Sequence, residues 1–417
     1  MQGHRILMSG DEVKKIRVIR DILDKFITQK KGAQKLKLST RQVRRLQERY
    51  ILEGTRGVVH GLCNRPSNNR ISLEVEEKIK SLWSEVYRPA EFTYAHFTEK
   101  LNEVEGIKVS KEKVRTLLRS TQLVDSKQSK PRKHRQERPR KERFGELLQQ
   151  DTSPHNWLGV GEKEHLVAII DDATSKVLFA QLFKSDGTLP NLQAMYEVFR
   201  CHGLPLSIYT DRASWFHYSE QGVRVHTHKR NRDNIKKDIV TQIGRAMDEP
   251  GVDLIPAYSA QAKGRVERMN RTFQDRLISE LRLRKITNMD LANEYIRAKF
   301  IADHNKRFAV PAKESNSAFV QLANIDCLDN TLCLKYTSTV RPDNIISKVN
   351  HYKLQLLPRP ERPSWAKAKV EVRIHLDGKI TVIHKNTKKE IPYKVIEIKH
   401  IKESKNGTHN SLANISD

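Results

Sequence analysis

Three carboxylates in the middle of the chain have surroundings that suit a metal site. Asp151 and Asp211 each end a short apolar segment with strand character, and Glu267 lies on a predicted helix soon after another such segment. Adjacent strand ends can bring such carboxylates together, and crowded carboxylates repel unless divalent cations bridge them. Hard oxygen ligands without Cys or His suit Mg²⁺ or Mn²⁺. Two such ions, about 3.5–4 Å apart, stabilise the attacking and leaving oxygens of an in-line phosphodiester displacement.

Each of these acids also has an ordinary structural explanation. Acids at strand ends often cap turns, and a single Glu on a helix is usually a salt-bridge partner. Glu267 is surrounded by Arg265, Arg268 and Arg271, which fit a salt bridge and equally fit a surface for phosphate groups. Spacing alone therefore leaves both explanations open.

The helix that carries Glu267 is predicted from the stretch 259–274. Its apolar stripe, at helical spacing, consists of Val266, Met269, Phe273 and Leu277. The adjoining polar face carries Glu267, Asn270 and Gln274. The stripe predicts that this helix packs against a sheet and thereby fixes the direction of the polar face. Helix is predicted to continue from residue 278 to 305, with an apolar stripe of Leu291, Tyr295, Ala298 and Ile301.

The segments before this helix predict the sheet. In chain order they are three strands at 147–151, 165–172 and 176–183, a helix at 189–200, a strand at 205–211, a helix at 239–247 and a strand at 252–257. This order predicts a mixed α/β core with a central sheet. Asp172 ends the second strand, where we expect it to cap a turn and not to bind metal.

The N-terminal third is predicted to be helical. Ser39 with Gln42 has capping-box spacing, so a helix begins there. Its outward face carries Arg41, Arg44, Arg45 and Arg49. This arrangement fits a helix-turn-helix unit whose recognition helix enters the DNA major groove, and the alternative is a three-helix bundle with a solvated basic face. A second helical unit, winged-helix-like, is predicted with helices at 73–86, 94–105 and 110–120.

The charge of the chain indicates a polyanionic partner. Its 417 residues include 77 Lys and Arg against 50 Asp and Glu, a formal charge of +27. Residues 127–143 alone hold nine Lys or Arg and two acids, which predicts an extended linker that follows DNA phosphates. The alternative for this segment is a soluble tether.

Other classes of protein are disfavoured. No apolar run approaches the roughly 18 residues of a membrane-spanning helix, and the N-terminus lacks the apolar core of a signal peptide. Four scattered cysteines, at 63, 201, 327 and 333, predict neither a disulfide framework nor a zinc site. We therefore expect a cytoplasmic protein that acts on nucleic acid.

The C-terminal part has the alternation of β-strands. Val370, Val372 and Ile374 alternate with polar residues, and Asp377-Gly378 is a strong hairpin signal. A small β-barrel is predicted there, and the polar stretch 403–417 is predicted to be disordered.

Five motifs in the middle of the chain resemble one known family. They are Gln150-Asp-Thr-Ser-Pro-His-Asn-Trp157, Ile169-Ile-Asp-Asp-Ala-Thr-Ser175, Ile208-Tyr-Thr-Asp-Arg212, Thr241-Gln-Ile-Gly-Arg245 and Gln261-Ala-Lys-Gly-Arg-Val-Glu-Arg-Met-Asn-Arg271. In this order they resemble the integrase catalytic core of bacterial insertion-sequence DDE transposases of the ISNCY type, within the retroviral-integrase superfamily. The spacing departs from the compact retroviral type: 55 residues separate Asp211 from Glu267, and we interpret residues 217–237 as an insertion.

The resemblance implies an RNase H-like core in which Asp151, Asp211 and Glu267 bind two Mg²⁺ or Mn²⁺ ions. It implies that Lys263 contacts DNA, and we expect Arg265, Arg268 and Arg271 to contribute to the same surface. The implied domains are a helix-turn-helix domain at 1–62, a second helical DNA-binding domain at 63–125, a basic linker at 126–143, the catalytic core at 144–320, an SH3-like β-barrel at 345–402 and a disordered tail at 403–417.

The implied activity is DNA transposition. A homo-multimer in a synaptic complex would bind the terminal inverted repeats of its element, hydrolyse a phosphodiester and transfer the freed strand into target DNA. Two alternatives stay open: a catalytically inactive DNA-binding relic or regulator, and a structure-selective nuclease on the same fold.

Overall fold

The computed structural model describes residues 9–59, 70–124, 138–217, 219–220, 223–224, 241–258, 263–350, 352–360 and 362–398. The chain divides into two compact units, Met1–Glu76 and Glu77–Asp417. Three predicted segments lie wholly or mostly outside the described residues: the linker before residue 138, the insertion at 217–237 and the tail at 403–417. None of the described helices is long and apolar enough to cross a membrane.

The first unit contains three helices with strong caps, α1 (Gly10–Leu23), α2 (Gln29–Leu36) and α3 (Thr40–Glu53). The predicted capping box at the start of α3 is present, because the Ser39 hydroxyl accepts from the Gln42 amide and the Gln42 side chain accepts from the Ser39 amide. The apolar core is formed by Val18, Ile19, Ile22, Ala33 and Val43. The four arginines of the predicted basic face are exposed, as expected.

Three further helices follow near their predicted positions: α4 (Leu73–Leu82) with a π-helical turn (Trp83–Tyr87), α5 (Tyr94–Glu103) and α6 (Lys111–Ser120). Ser110 caps α6 by accepting a hydrogen bond from the Lys113 amide. The rings of Trp83, Tyr87 and Phe97 pack together, with centroids about 5 Å apart.

The central sheet has five strands, in the order β3-β2-β1-β4-β7. They are β1 (Leu148–His155), β2 (Glu164–Asp171), β3 (Val177–Phe183), β4 (Ser207–Thr210) and β7 (Asp253–Pro256). The first three strands pair antiparallel, whereas β4 is parallel to both β1 and β7. The predicted mixed sheet is therefore confirmed. A short hairpin, β5 (Ser219–Glu220) and β6 (Val223–Arg224), lies outside this sheet.

The prediction that Asp151 ends its strand is wrong. β1 continues to His155, because Thr152 to His155 stay paired with β2, even at Pro154. The parallel pairing with β4, in contrast, includes only Leu148 and Gln149 of β1. Asp151 thus lies inside a strand, but just beyond the part that β4 covers.

Side-chain alternation along the strands divides the core into two layers. Val167 and Ile169 pack with helices α7 (Thr188–His202) and α8 (Gln242–Asp248). Leu166, Ala168 and Ile170 point to the other face and pack with α9 (Gly264–Leu283) and the helices that follow it. All four residues of the predicted stripe on α9 are buried, so the prediction of its packing face is confirmed.

A second prediction, of one continuous helix from residue 278 to 305, is wrong. α9 ends at Leu283, and a new helix starts after Asn288, whose side chain accepts hydrogen bonds from the Asp290 and Leu291 amides. This helix comprises α10 (Met289–Tyr295), a π-helical turn (Ile296–Phe300) and α11 (Ile301–Phe308). Its buried face consists of Ala292, Ile296, Phe300 and His304, and Leu291 is exposed.

The C-terminal β-region begins earlier than predicted. After α12 (Asp326–Thr331) the strands are β8 (Leu334–Thr339), β9 (Ile345–Val349), β10 (Tyr352–Leu356), β11 (Lys369–Ile374), β12 (Ile380–His384) and β13 (Tyr393–Ile398). They form two three-stranded antiparallel sheets, β13-β10-β9 and β12-β11-β8. Their buried residues join the same apolar cluster as α7 and α8, so this region shares its core with the central one.

Candidate active site

The three predicted carboxylates line one open cleft with a volume of about 390 Å³. The lining residues are Asp151, Asp211, Arg212, Ala257, Tyr258, Lys263 and Glu267. They come from β1, from the segments just after β4 and β7, and from the start of α9. The structure therefore brings together side chains that are up to 116 residues apart in the chain.

Strand register explains why Asp151 and Asp211 meet. Leu148 pairs with Ile208 and Gln149 with Tyr209, so the same offset carried two residues further puts Asp211 level with Asp151. Asp211 leaves the strand at this point, and its Oδ1 accepts a hydrogen bond from the Ala213 amide (3.0 Å). The cleft opens where β4 ends.

Helix α9 is fixed to β1 by a series of polar contacts. The Val266 amide donates to Gln149 Oε1 (3.1 Å), Asn270 Nδ2 donates to Asp151 Oδ2 (2.8 Å), and Gln274 Nε2 donates to Ser153 Oγ (3.1 Å). Alternate strand residues thus meet helix residues four apart, which is the spacing of one face of each element. Two residues of the predicted polar face, Asn270 and Gln274, bond to the sheet. The third, Glu267, is exposed and faces the cleft.

The surroundings of Asp151 disfavour its charged form. Burial raises its pKa, the Lys263 ammonium opposes that rise, and the nearby charge of Asp211 adds to it. Lys263 is itself buried and forms a salt bridge with Asp151 Oδ1. The pKa of Asp151 is raised overall, so this carboxylate lacks part of the positive charge that its ionised form requires.

The donor types fit a hard divalent cation, but the group is not assembled around one. Three carboxylates with no Cys or His are the ligand set that Mg²⁺ and Mn²⁺ prefer. Within the described ranges, no three His, Cys, Asp or Glu side chains are close enough to hold a metal ion together. The positive group that Asp151 contacts is instead the ammonium of Lys263.

The predicted DNA-binding residues of this region fall into two pairs. Arg268 and Arg271 are exposed. Lys263 and Arg265 instead have acidic partners within the protein, Asp151 for Lys263 and Asp172 for Arg265, whose Nη1 donates at 2.7 Å. Lys263 and Arg265 therefore bind acids of the protein itself, whereas all four residues were expected to form one surface for DNA phosphates.

The role expected for Asp172 belongs to its neighbour. Asp171 caps the turn, accepting hydrogen bonds from the Thr174 amide (2.8 Å) and hydroxyl (2.7 Å). Asp172 is fully buried and is an acceptor for four donors: Arg138, the Lys141 amide (2.9 Å), Gln149 (2.6 Å) and Arg265 (2.7 Å). Because side chains alternate along a strand, Asp171 and Asp172 point in opposite directions. The sequence contains no signal for the partners that Asp172 finds. Residues 138–141, the end of the predicted linker, are therefore packed on the core.

A second carboxylate on α9 was not predicted at all. Glu280 is buried, and its oxygens accept hydrogen bonds from four side chains: His96 (3.0 Å), Lys100 (2.5 Å), Arg284 (2.7 Å) and Tyr295 (3.2 Å). Burial alone would raise the pKa of Glu280, but the hydrogen bonds and charges of His96 and Lys100 lower it to about 2. This cluster joins α5 to α9.

Comparison with known proteins identifies relatives of this chain. No protein-family model matches it. It is 33% identical over 395 residues to the putative transposase y4bF of Sinorhizobium fredii, covering 94% of this chain and 82% of the relative. It is also 33% identical over 339 residues to the transposase for insertion sequence IS1202 of Streptococcus pneumoniae, covering 73% of this chain and 70% of the relative.

Distant likenesses to solved structures also occur. The HTLV-2 integrase catalytic core domain in complex with magnesium is 16% identical, with a TM-score of 0.27, over 37% of this chain and 85% of that one. A simian T-cell lymphotropic virus intasome structure is 14% identical, with a TM-score of 0.30, over 78% of this chain and 99% of that one. No conclusion rests on these two. The identity to both curated transposases over most of the chain is sufficient, and this protein is a member of the family of bacterial insertion-sequence transposases.

Proposed function

We propose that this transposase cuts and joins DNA at the cleft between β1, β4 and α9, with Asp151, Asp211 and Glu267 as ligands of two Mg²⁺ or Mn²⁺ ions. The observation that carries the proposal is the meeting of these three carboxylates in one open cleft. Bound ions would supply Lewis-acid stabilisation of the attacking and leaving oxygens. The fold of the region 144–320 is proposed to be RNase H-like.

The proposed reaction has two displacements. Water attacks a phosphorus at the element end, an O–P bond forms, and the departing 3′ oxygen takes a proton. The freed 3′-OH then attacks a phosphorus of target DNA and loses its proton, while the P–O3′ bond of the target strand breaks and the departing 3′ oxygen takes a proton. One phosphodiester thus replaces another, and no energy source is needed. Asn270 holds Oδ2 of Asp151, and Lys263 holds Oδ1.

Lys263 has two alternative partners in this proposal. Its ammonium forms a salt bridge with Asp151 Oδ1. If Asp151 held a divalent ion, Lys263 would be free to pair with a DNA phosphate instead. This sequence of partners accounts for a buried lysine at a position that the family resemblance assigns to DNA contact.

Recognition of DNA ends is proposed for the helical regions 1–62 and 63–125. The exposed arginines of α3, at 41, 44, 45 and 49, support this role for the first region. Replacement of all four by alanine should weaken binding to terminal inverted-repeat DNA and reduce its salt dependence. We also propose that residues 345–402, an SH3-like barrel, contact DNA or a neighbouring protomer, and that a homo-multimer joins the two ends.

The catalytic assignment is tested by Asp151→Asn, Asp211→Asn and Glu267→Gln. With DNA that carries the element's own ends, and with Mg²⁺ or Mn²⁺, each variant should lose strand transfer by about a thousandfold or more and keep end binding in a gel-shift assay. Asp275→Asn, an exposed acid on the same helix, is the matched control and should join DNA normally. Near-normal joining by any of the three would remove that residue from the ligand set.

The same assay separates the alternatives. Wild-type protein that shifts end DNA but never nicks it would favour an inactive DNA-binding relic. Cleavage of branched or hybrid DNA without joined products, and without any need for particular ends, would favour a nuclease.

A further inference from the structure

Helix α9 begins without a side-chain cap of its own. Its N-cap residue is Lys263, which has no acceptor atom, and no side-chain cap hydrogen bond is formed there. The first amides of a helix have no partner within it, and a buried amide without a partner is costly. The Val266 amide, which is buried, finds its acceptor on another element: Gln149 Oε1 of β1, at 3.1 Å.

The other end of the Gln149 amide is fixed by Asp172. Gln149 Nε2 donates to Asp172 Oδ1 at 2.6 Å, and both side chains are fully buried. A buried carboxylate surrounded by arginines can only accept, so the NH₂ group of Gln149 must face it and the oxygen must face Val266. The two hydrogen bonds therefore run in one direction: the Val266 amide donates to Gln149, and Gln149 donates to Asp172.

Asp172 also accepts hydrogen bonds from the first turn of α9 and from the segment that enters the core. Arg265, in the first turn of α9, donates to Asp172 at 2.7 Å and to the Arg138 carbonyl at 3.0 Å. Arg138 and the Lys141 amide donate to the same carboxylate from the segment that enters the core. A single buried charge thus joins that segment, β1 and the start of α9.

We propose that Gln149 is a positioning residue for Glu267, acting as a cap that β1 supplies to α9, and that Asp172 fixes this cap in its working orientation. Glu267 follows Val266 directly, so the position of the capped turn sets where its carboxylate lies in the cleft. The inference rests on the proposed function for its catalytic consequence, but the cap itself can be measured without catalysis.

The test compares Gln149→Met with Gln150→Met in the full-length protein. Both glutamines are buried on β1, but Gln150 donates to Asn191 Oδ1 of α7 (2.6 Å) and not toward α9. Hydrogen exchange followed by mass spectrometry should show amides of residues 264–267 exchanging roughly fivefold to tenfold faster in Gln149→Met. The same amides in Gln150→Met should exchange at the wild-type rate.

Metal binding gives a second readout. Calorimetric titration with MnCl₂ alone should show affinity reduced several-fold in Gln149→Met and unchanged in Gln150→Met. Unchanged exchange at 264–267 in Gln149→Met, or equal acceleration in both variants, would overturn the positioning role. If Gln149→Met does not melt cooperatively, Gln149→Leu replaces it, since it also removes the acceptor for the Val266 amide and should accelerate the same amides.

The proposed function and this inference can fail separately. Strand transfer that survives Glu267→Gln would refute the catalytic assignment and leave the exchange result intact. Wild-type exchange in Gln149→Met would refute the cap and leave the catalytic assignment intact.

Discussion

The two ends of helix α9 each carry a glutamate, and their surroundings are opposite. Glu267, near the N-terminus, is exposed at an open cleft beside Asp151 and Asp211. Glu280, four turns later, is buried and has hydrogen bonds from His96, Lys100, Arg284 and Tyr295. One helix thus has an acidic group that the protein has fully partnered and another that it has left facing solvent.

The pKa shifts of Glu280 and of Asp151, which lies in the same cleft as Glu267, have opposite directions. The cationic and polar partners of Glu280 overcome the effect of burial and lower its pKa to about 2. At the cleft, burial and the charge of Asp211 outweigh Lys263, and the pKa of Asp151 is raised. The charge of Glu280 is thus stabilised by its partners, whereas the charge of Asp151 is disfavoured by its surroundings.

The largest expected effect is on stability at Glu280. Glu280→Gln leaves buried cationic groups without their counter-charge and should lower the free energy of unfolding by about 3–5 kcal/mol. Glu267→Gln, the matched change on the same helix, should alter it by no more than about 0.5 kcal/mol. Urea denaturation followed by circular dichroism measures both, and equal losses would contradict the contrast between the two ends.

The second effect is a pH dependence that belongs to Glu280. Its folded-state pKa, about 2, lies below the ordinary value of 4.5, so its stabilisation is complete above that value and is lost as pH falls toward 2. The difference in unfolding free energy between wild type and Glu280→Gln should narrow by about 3 kcal/mol over this range. Urea midpoints measured from pH 5 to pH 2.5 test this. A constant difference would mean that the charge of Glu280 is not the source of the stabilisation.

The smallest effect separates two arginines that bind the same acid. Arg276 donates twice to Glu99 (2.6 and 2.7 Å) and is largely buried, so Arg276→Lys should cost about 1–2 kcal/mol. Arg307 reaches Glu99 and the more exposed Glu103, and Arg307→Lys should cost under about 1 kcal/mol. Thermal melts of the two variants provide the comparison, and a reversed order would show that burial does not rank these contacts.

Local patterns were sufficient to predict much of the fold. The order of strands and helices, the buried stripe of α9 and the capping box at Ser39 depend on residues close in sequence. The break after Leu283 was missed because Leu291 continued an apparent apolar stripe, although tertiary packing buries Ala292 and Ile296 instead.

The candidate site also has features that local sequence patterns predict and features that they do not predict. The three carboxylates were identified from their motifs, and their common cleft follows from the register of β1 and β4. The partners of Lys263 and Arg265 were not predicted because they lie 112 and 93 residues away in the chain. Those of Asp172 were not predicted because a chain with 77 basic residues offers many equivalent candidates. Packing decides which cation pairs with which anion, and the composition contains no information about this pairing.

The brief pairing of β4 with β1 has a mechanical consequence. Within the described strands, β1 is paired with β2 along its whole length but with β4 at only two residues, so the sheet forks at the edge that holds Asp151 and Asp211. A fork can widen or narrow at its open end without breaking a backbone hydrogen bond. Backbone pairing therefore does not fix the gap between Asp151 and Asp211, whereas hydrogen bonds fix α9 to the β1 side of it. In the proposed reaction, this gap would adjust its width to the bound DNA.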